Sequence, residues 1–181
     1  QLVVLPLKYA PDPILERKTR RVKEVDGVIH RLVEDMIETM HDAHGVGLAA
    51  NQVGVSLRVA VIQLPDDEEA TVLINPEVVR REGERELTEG CLSIPGYQGL
   101  VRRSVKVRVR AQSLDGKPIR IKAEDNLMAQ ALEHETDHLN GVLYVEHLVD
   151  KDTLWKLGEE EEYSDGDGGE HASGSQPSSG T

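Results

Sequence analysis

Two histidines four residues apart, His134 and His138, lie inside a stretch with helical periodicity that runs from about Glu124 to Leu139 and is closed by Asn140-Gly141. Residues at that spacing project from one helix face, and Leu127 and Ala131 share it. A helix that turns two imidazoles toward its apolar side cannot stand at the surface. The rest of the chain has to enclose it. The elements available are mostly extended. A first helix is predicted from Asp26 to His44, where Ile29, Leu32, Val33, Met36, Ile37 and Met40 recur at three- and four-residue steps; Asp26 caps its start and Gly45 ends it. Short strands are predicted over Arg58–Leu64, Thr71–Ile74 and Val78–Arg81. Val105–Arg110 then alternates with period two, and Asp115-Gly116 turns the chain into Ile119–Ile121. Leu92–Gly96 reads as an extended piece leading to a turn, and Lys151–Leu157 as a short third helix. This order predicts an α+β fold, a mostly antiparallel sheet packed around a central metal-binding helix.

The boundary of that fold is set by composition. After Leu157 the sequence becomes acidic and then rich in Gly and Ser; residues 159–181 hold seven acids and no Lys or Arg. Such a segment buries too little apolar area to offset its ordering entropy, so we expect a single domain over 1–157 and a disordered tail over 158–181. The net charge is −12 for the 181 residues, of which −5 remains without the tail. That balance excludes non-specific nucleic-acid binding, which needs clustered cations. No apolar run is long enough to span a bilayer, and the opening residues lack the features of a signal peptide. With a single cysteine the chain forms no internal disulfide, which fits a cytoplasmic location. There is no Phe and one Trp, so Val, Ile, Leu and Ala must build the core.

His134-Glu135-Thr136-Asp137-His138 is an HExxH sequence. Both imidazoles can reach one metal ion, while Glu135 is placed to take a proton from water without being a ligand. Many metal hydrolases share that pattern, and the third ligand separates them. In metzincins a Gly and a further His follow; here Gly141 falls on the first position, but Tyr144 stands on the second. A thermolysin-like Glu would fall among Glu159–Glu162, in the tail. The remaining candidate is Cys91, in Glu89-Gly90-Cys91-Leu92-Ser93. A lone cysteine is as readily a small buried hydrophobe.

Three motifs in order now coincide with a known pattern. Gly45-Val46-Gly47-Leu48-Ala49-Ala50-Asn51-Gln52 fits G-x-G-L-A-A-x-Q, Glu89–Ser93 fits E-G-C-L-S, and the third is the helix of His134, Glu135, Asp137 and His138. Together with Asp12-Pro13-Ile14-Leu15 they resemble the peptide deformylase family over about residues 2–150. The resemblance implies one divalent metal held by Cys91, His134 and His138, Fe(II) natively, with Ni, Co or Zn as substitutes. It implies Glu135 as general base and acid, and the Gln52 amide and Leu92 N–H as oxyanion donors. It also implies an ion pair of Glu89 with Arg103, and a methionine pocket formed by Val46, Leu87, Leu127 and Ala131. Gly45, Gly47, Glu89 and Gly90 complete the expected substrate wall, and the first two glycines would let an extended peptide lie alongside as an added strand. The implied partners are N-formylmethionyl nascent peptides, met in transient contact with the ribosome, with no direct nucleic-acid or membrane binding. Glu133 and Gln130 depart from the family's usual Gln and apolar residue. Two other readings stand beside this one: a general zinc peptidase, and a deformylase-like binding protein without turnover. The second would be expected to lack Glu135 or a ligand, and all are present.

Overall fold

The computed structural model describes residues 1–158; the expected tail from Glu159 onward lies outside the described residues. Two helices and eight strands are present among the described residues: α1 (Gly27–Asp42), β1 (Gly47–Ala49), β2 (Val59–Ile62), β3 (Thr71–Glu82), β4 (Arg85–Cys91), β5 (Ile94–Arg103), β6 (Lys106–Gln112), β7 (Pro118–Glu124), α2 (Leu127–Leu139) and β8 (Leu154–Lys156). Five strands form one sheet in the order β1-β2-β3-β6-β7, and three form another, β4-β5-β8. Every pair of neighbouring strands is antiparallel. The α+β expectation holds, with two sheets where one was expected.

The larger sheet is covered on both faces. All four residues of β2 are fully buried. Val59 and Val61 pack with Met36 and Met40 of α1, whereas Ala60 and Ile62 pack with Leu132 and Leu139 of α2. Strand alternation therefore splits one apolar run between two cores. The α2 core is rich in small side chains, with Ala49, Ala60, Ala111, Ala123, Ala129 and Ala131 all buried. Alanines on both facing surfaces let the helix approach the sheet closely, which suits a chain without Phe.

Caps fix both helices. The Asp26 carboxylate accepts from the Ile29 N–H at 3.1 Å, as expected. The end of α1 differs from expectation. His44, not Gly45, takes the left-handed conformation (φ 55°), so Gly45 is free to start the extended run into β1 while its N–H returns to the Met40 carbonyl. The Asn126 side chain accepts from the Ala129 N–H at 2.9 Å, which starts α2 at Leu127; Glu124 belongs to β7. Gly141 ends that helix at φ 77°, and a Cβ there would lie 2.7 Å from the Glu16 carbonyl carbon.

Three further expectations are corrected. Thr71–Ile74 and Val78–Arg81 form the single strand β3, whose register shifts around Asn75-Pro76. Pro76 cannot donate to a ladder, and Asn75 (φ 52°) sends its side chain to the Val22 backbone instead. Leu92–Gly96 is not one extended piece: Leu92-Ser93 is the hairpin turn, and β5 begins at Ile94. Lys151–Leu157 is not a helix. A 3-10 turn over Lys151–Thr153 leads into β8, which pairs with β5 at Tyr97, Gln98 and Gly99. No helix among the described residues is long and apolar enough to cross a membrane.

Candidate metal centre and cleft

Cys91 closes β4, and the two histidines sit on consecutive turns of α2, so the two sheets and the second helix meet at one point. One donor atom from each of Cys91, His134 and His138 lies within 4.8 Å of the others. The Cys91 Sγ is 3.2 Å from His138 Nε2, and the two Nε2 atoms are 3.1 Å apart. Tetrahedral bonds of ~2.1 Å place ligand atoms roughly 3.4 Å from one another. The observed spacings are close to that. Charge in the site also favours a cation. Burial alone would lower the His134 pKa, but Glu135, Cys91 and Glu89 together hold it well above its ordinary value. His138 is held well below, first by burial and then by His134. A soft sulfur and two imidazoles surrounded by carboxylates form a donor set that fits a divalent transition metal.

The other nitrogen of His134 is occupied. Its Nδ1 meets Glu89 Oε1, which fixes the ring and turns Nε2 toward the centre. Glu89 is itself held by Arg103, whose Nε donates to Oε2 at 3.0 Å and whose Nη2 donates to Oε1. The third arm of the guanidinium, Nη1, donates to Asp137 Oδ2 at 2.6 Å. Burial would raise the Glu89 carboxyl, but the hydrogen bonds from His134 and Arg103 bring it down to about 2. The expected Glu89–Arg103 pair is thus present, and it continues to His134 and Asp137. That continuation was not read from the sequence. The acid at the second variable position of the HExxH segment, Asp137, is its visible signal.

Glu135 is 4% exposed, and its Oε1 has no hydrogen-bond partner. Burial pushes its carboxyl up to about 7, against the opposing pull of His134. Gly47 lies against it: a Cβ there would sit 2.9 Å from Glu135 Cδ. Gln52 is buried in the 3-10 turn after β1; its Oε1 accepts from the Ala49 N–H at 2.9 Å, and its Nε2 points to Ser93 Oγ at 3.1 Å and Cys91 Sγ at 3.6 Å. Asn51, beside it, donates to the His138 carbonyl and ties the first motif to the metal helix.

These groups open on a cleft of about 600 Å³. Gly45, Val46, Gly47, Gln52, Glu89, Gly90, Cys91, Leu92, Leu127, Ala131, His134 and Glu135 all line it, as does His44. His138 lies beneath, 1% exposed. Two of the expected wall residues stand apart from the others. Leu87, half-buried on β4, is not among the residues that border the cleft, although Thr88, Glu89 and Gly90 after it are. Glu89 borders the cleft, but its carboxylate is spent on Arg103 and His134 rather than left free for a substrate. Leu127 is 41% exposed, so the inward stripe of α2 is open to the cleft at its start. Gln130, standing where the family usually has an apolar pocket residue, lines the wall and donates to Glu89 Oε2 at 3.2 Å; sequence reading missed Leu157, which follows β8 into the rim.

Residues 4–153 match the family model described as polypeptide deformylase. A peptide deformylase of Dehalococcoides mccartyi is 53% identical over 152 residues, covering 84% of this chain and 90% of the relative. One from Halothermothrix orenii is 43% identical, covering 87% and 97%. Among solved structures, a peptide deformylase from Legionella pneumophila superposes with a TM-score of 0.79 at 40% identity, covering 92% of this chain and all of that one. A Synechococcus elongatus peptide deformylase in complex with actinonin gives 0.78 at 39% identity, covering 81% and 80%. With the family model matched over residues 4–153 and 84% of its length covered by a relative 53% identical, the chain belongs to the polypeptide deformylase family.

Proposed function

We infer that this chain is a peptide deformylase that hydrolyses the formamide at the N-terminus of newly made proteins, releasing formate and a free methionine amine, in the cytoplasm and in transient contact with ribosomes. The observation that carries this is the convergence of Cys91, His134 and His138 beside a buried carboxylate, Glu135, at the floor of a cleft. We propose those three as ligands of one divalent cation, Fe(II) natively, with Ni, Co or Zn able to replace it. A cation held there lowers the pKa of water from ~15.7 toward ~7 and polarises a carbonyl oxygen.

The chain's own residues supply the rest. Glu135, with one oxygen unpartnered, takes the proton of the attacking water and returns it to the departing nitrogen. Negative charge then grows on the formyl oxygen, and the Gln52 amide and the Leu92 N–H are the donors we assign to it. The Gln52 Oε1 is already held by the Ala49 N–H, which fixes the amide so that its NH₂ faces the Cys91 side. Val46, Leu127 and Ala131 offer apolar surface for a methionine side chain, and the backbone from Gly45 to Gly47 can pair with an extended peptide. Pairing through backbone tolerates varied sequence beyond the first residue, as a general processing enzyme requires.

The test is formate release from a formyl-Met peptide by the Ni-loaded chain, expected in the parent and lost together with metal in Cys91→Ala. Cleavage inside an unblocked protein that survives Cys91→Ala would instead identify a general zinc peptidase. Metal bound without formate release would identify a binding protein.

A further inference from the structure

We propose that His147 is a positioning residue for the metal centre, acting through Asp137, Arg103 and Glu89 on the outward nitrogen of His134. The proposal rests on the reading that Cys91, His134 and His138 hold a cation. His147 ends the 3-10 turn Tyr144–His147, which folds back beside the last turns of α2. Its Nε2 lies 2.9 Å from Asp137 Oδ2, the same oxygen that accepts from Arg103 Nη1 at 2.6 Å. The remaining arms of Arg103 hold Glu89, and Glu89 meets His134 Nδ1. Five side chains thus alternate donor and acceptor from the surface to a ligand. Side-chain exposure runs 38% at His147, 13% at Asp137, 1% at Arg103 and 4% at Glu89. The chain has one end in solvent, and His147 is that end.

A guanidinium is a single rigid plane, so its three arms are set together. Two arms grip Glu89 with the spacing of a carboxylate, and the orientation of the plane depends on the third, held by Asp137. Asp137 is the more exposed of the two carboxylates in this relay, and water competes for its oxygens. His147, with its proton on Nε2, keeps Oδ2 on Arg103. Without it the Asp137 carboxylate can turn outward, the guanidinium loses its third anchor, and the hydrogen bond that orients the His134 ring loosens. A second cavity, of about 510 Å³, reaches Arg103 and His147 and shares no lining residue with the cleft. His147 therefore acts on the centre without touching the substrate.

The full chain loaded with Co(II) gives a thiolate-to-cobalt absorption that reports the Cys91 bond, and its decay in excess chelator gives the rate of metal loss. His147→Ala should speed that loss about tenfold, the low end of the 10–100-fold effects seen when an outer partner of a metal ligand is removed. It should lower kcat several-fold and leave KM for a formyl-Met peptide unchanged. His147→Gln, which keeps an N–H donor, should recover most of both. Cobalt loss and kcat at parental values in His147→Ala would overturn the proposal, as would a Gln variant no better than Ala, or a lowered Tm with the cobalt spectrum and decay unmoved. A parent chain with no thiolate absorption at all would remove the centre itself, and the proposal with it.

Discussion

At the scale of single residues, Glu135 and Gly47 form one device. The carboxyl is buried, raised to about 7, and has one oxygen without a partner, while the glycine opposite leaves the space it occupies. Glu135→Gln keeps the shape but can neither take nor return a proton. Its kcat should fall on the order of 10²–10⁴-fold, the usual share of a general acid–base group, with the metal content unchanged by elemental analysis. A variant that turned over at the parental rate would remove Glu135 from the proton path. Gly47→Ala tests the same space from the other side. The new methyl would meet a side chain that is 4% exposed and cannot retreat into solvent, in an interior that absorbs added volume poorly. Formate release should drop by about tenfold or more in kcat while bound metal stays stoichiometric, because the three atoms nearest the methyl all belong to Glu135. Loss of metal in that variant would show that the centre, not the base, had moved.

Elements differ in how openly the sequence announces them. Both helices and the β6–β7 hairpin were legible because their burial follows one period: Ile29, Val33, Met36 and Met40 on α1, and Val107, Val109 and Ala111 on β6. The β4–β5 hairpin was not. Arg85–Cys91 is mostly charged or polar, and its one deeply buried residue is Glu89, an acid whose partners lie 14 and 45 residues away. Burial of a charge depends on those distant partners, so no local pattern reveals it. The three candidate ligands were legible as motifs and the Glu89–Arg103 pair through the family resemblance, but the continuation to Asp137 and His147 was not, because it joins β5, α2 and the turn after it. The same point carries a prediction. Glu89 and Arg103 are almost fully buried, and breaking such a pair from one side typically costs about 3–5 kcal/mol. Glu89→Gln should destabilise the metal-free chain by roughly that amount in urea. The folded carboxyl sits at about 2, below its ordinary 4.5, so its stabilisation is complete above 4.5 and disappears as pH falls through that window to about 2. Glu89→Gln should therefore flatten the acid limb of the stability curve between those values. A limb as steep in the variant as in the parent would mean that another group sets it.

Over the whole molecule, the centre is where the two sheets are joined. Cys91 comes from the β4-β5-β8 sheet, and the two histidines come from the helix packed on the five-stranded one. A cation bound by all three crosslinks parts of the fold that are otherwise joined here by Arg103, Glu89 and ordinary packing. The unfolded chain keeps a cysteine and two histidines but not their convergence, so the cation binds the folded state far better. Binding of that kind stabilises by RT ln(1 + [L]/Kd), about 4 kcal/mol at a thousandfold excess over Kd. For a chain of this size each kcal/mol moves Tm by about 2–4 °C, so stripping the metal with a chelator should lower Tm by about 8–16 °C, and Ni or Co should restore it. Cys91→Ala should start near the stripped value and gain little from added metal, because the two histidines alone lie on one helix and crosslink nothing. If instead the variant recovered the full increment, the metal would be stabilising α2 alone, and the thiolate would not be what ties the sheets together.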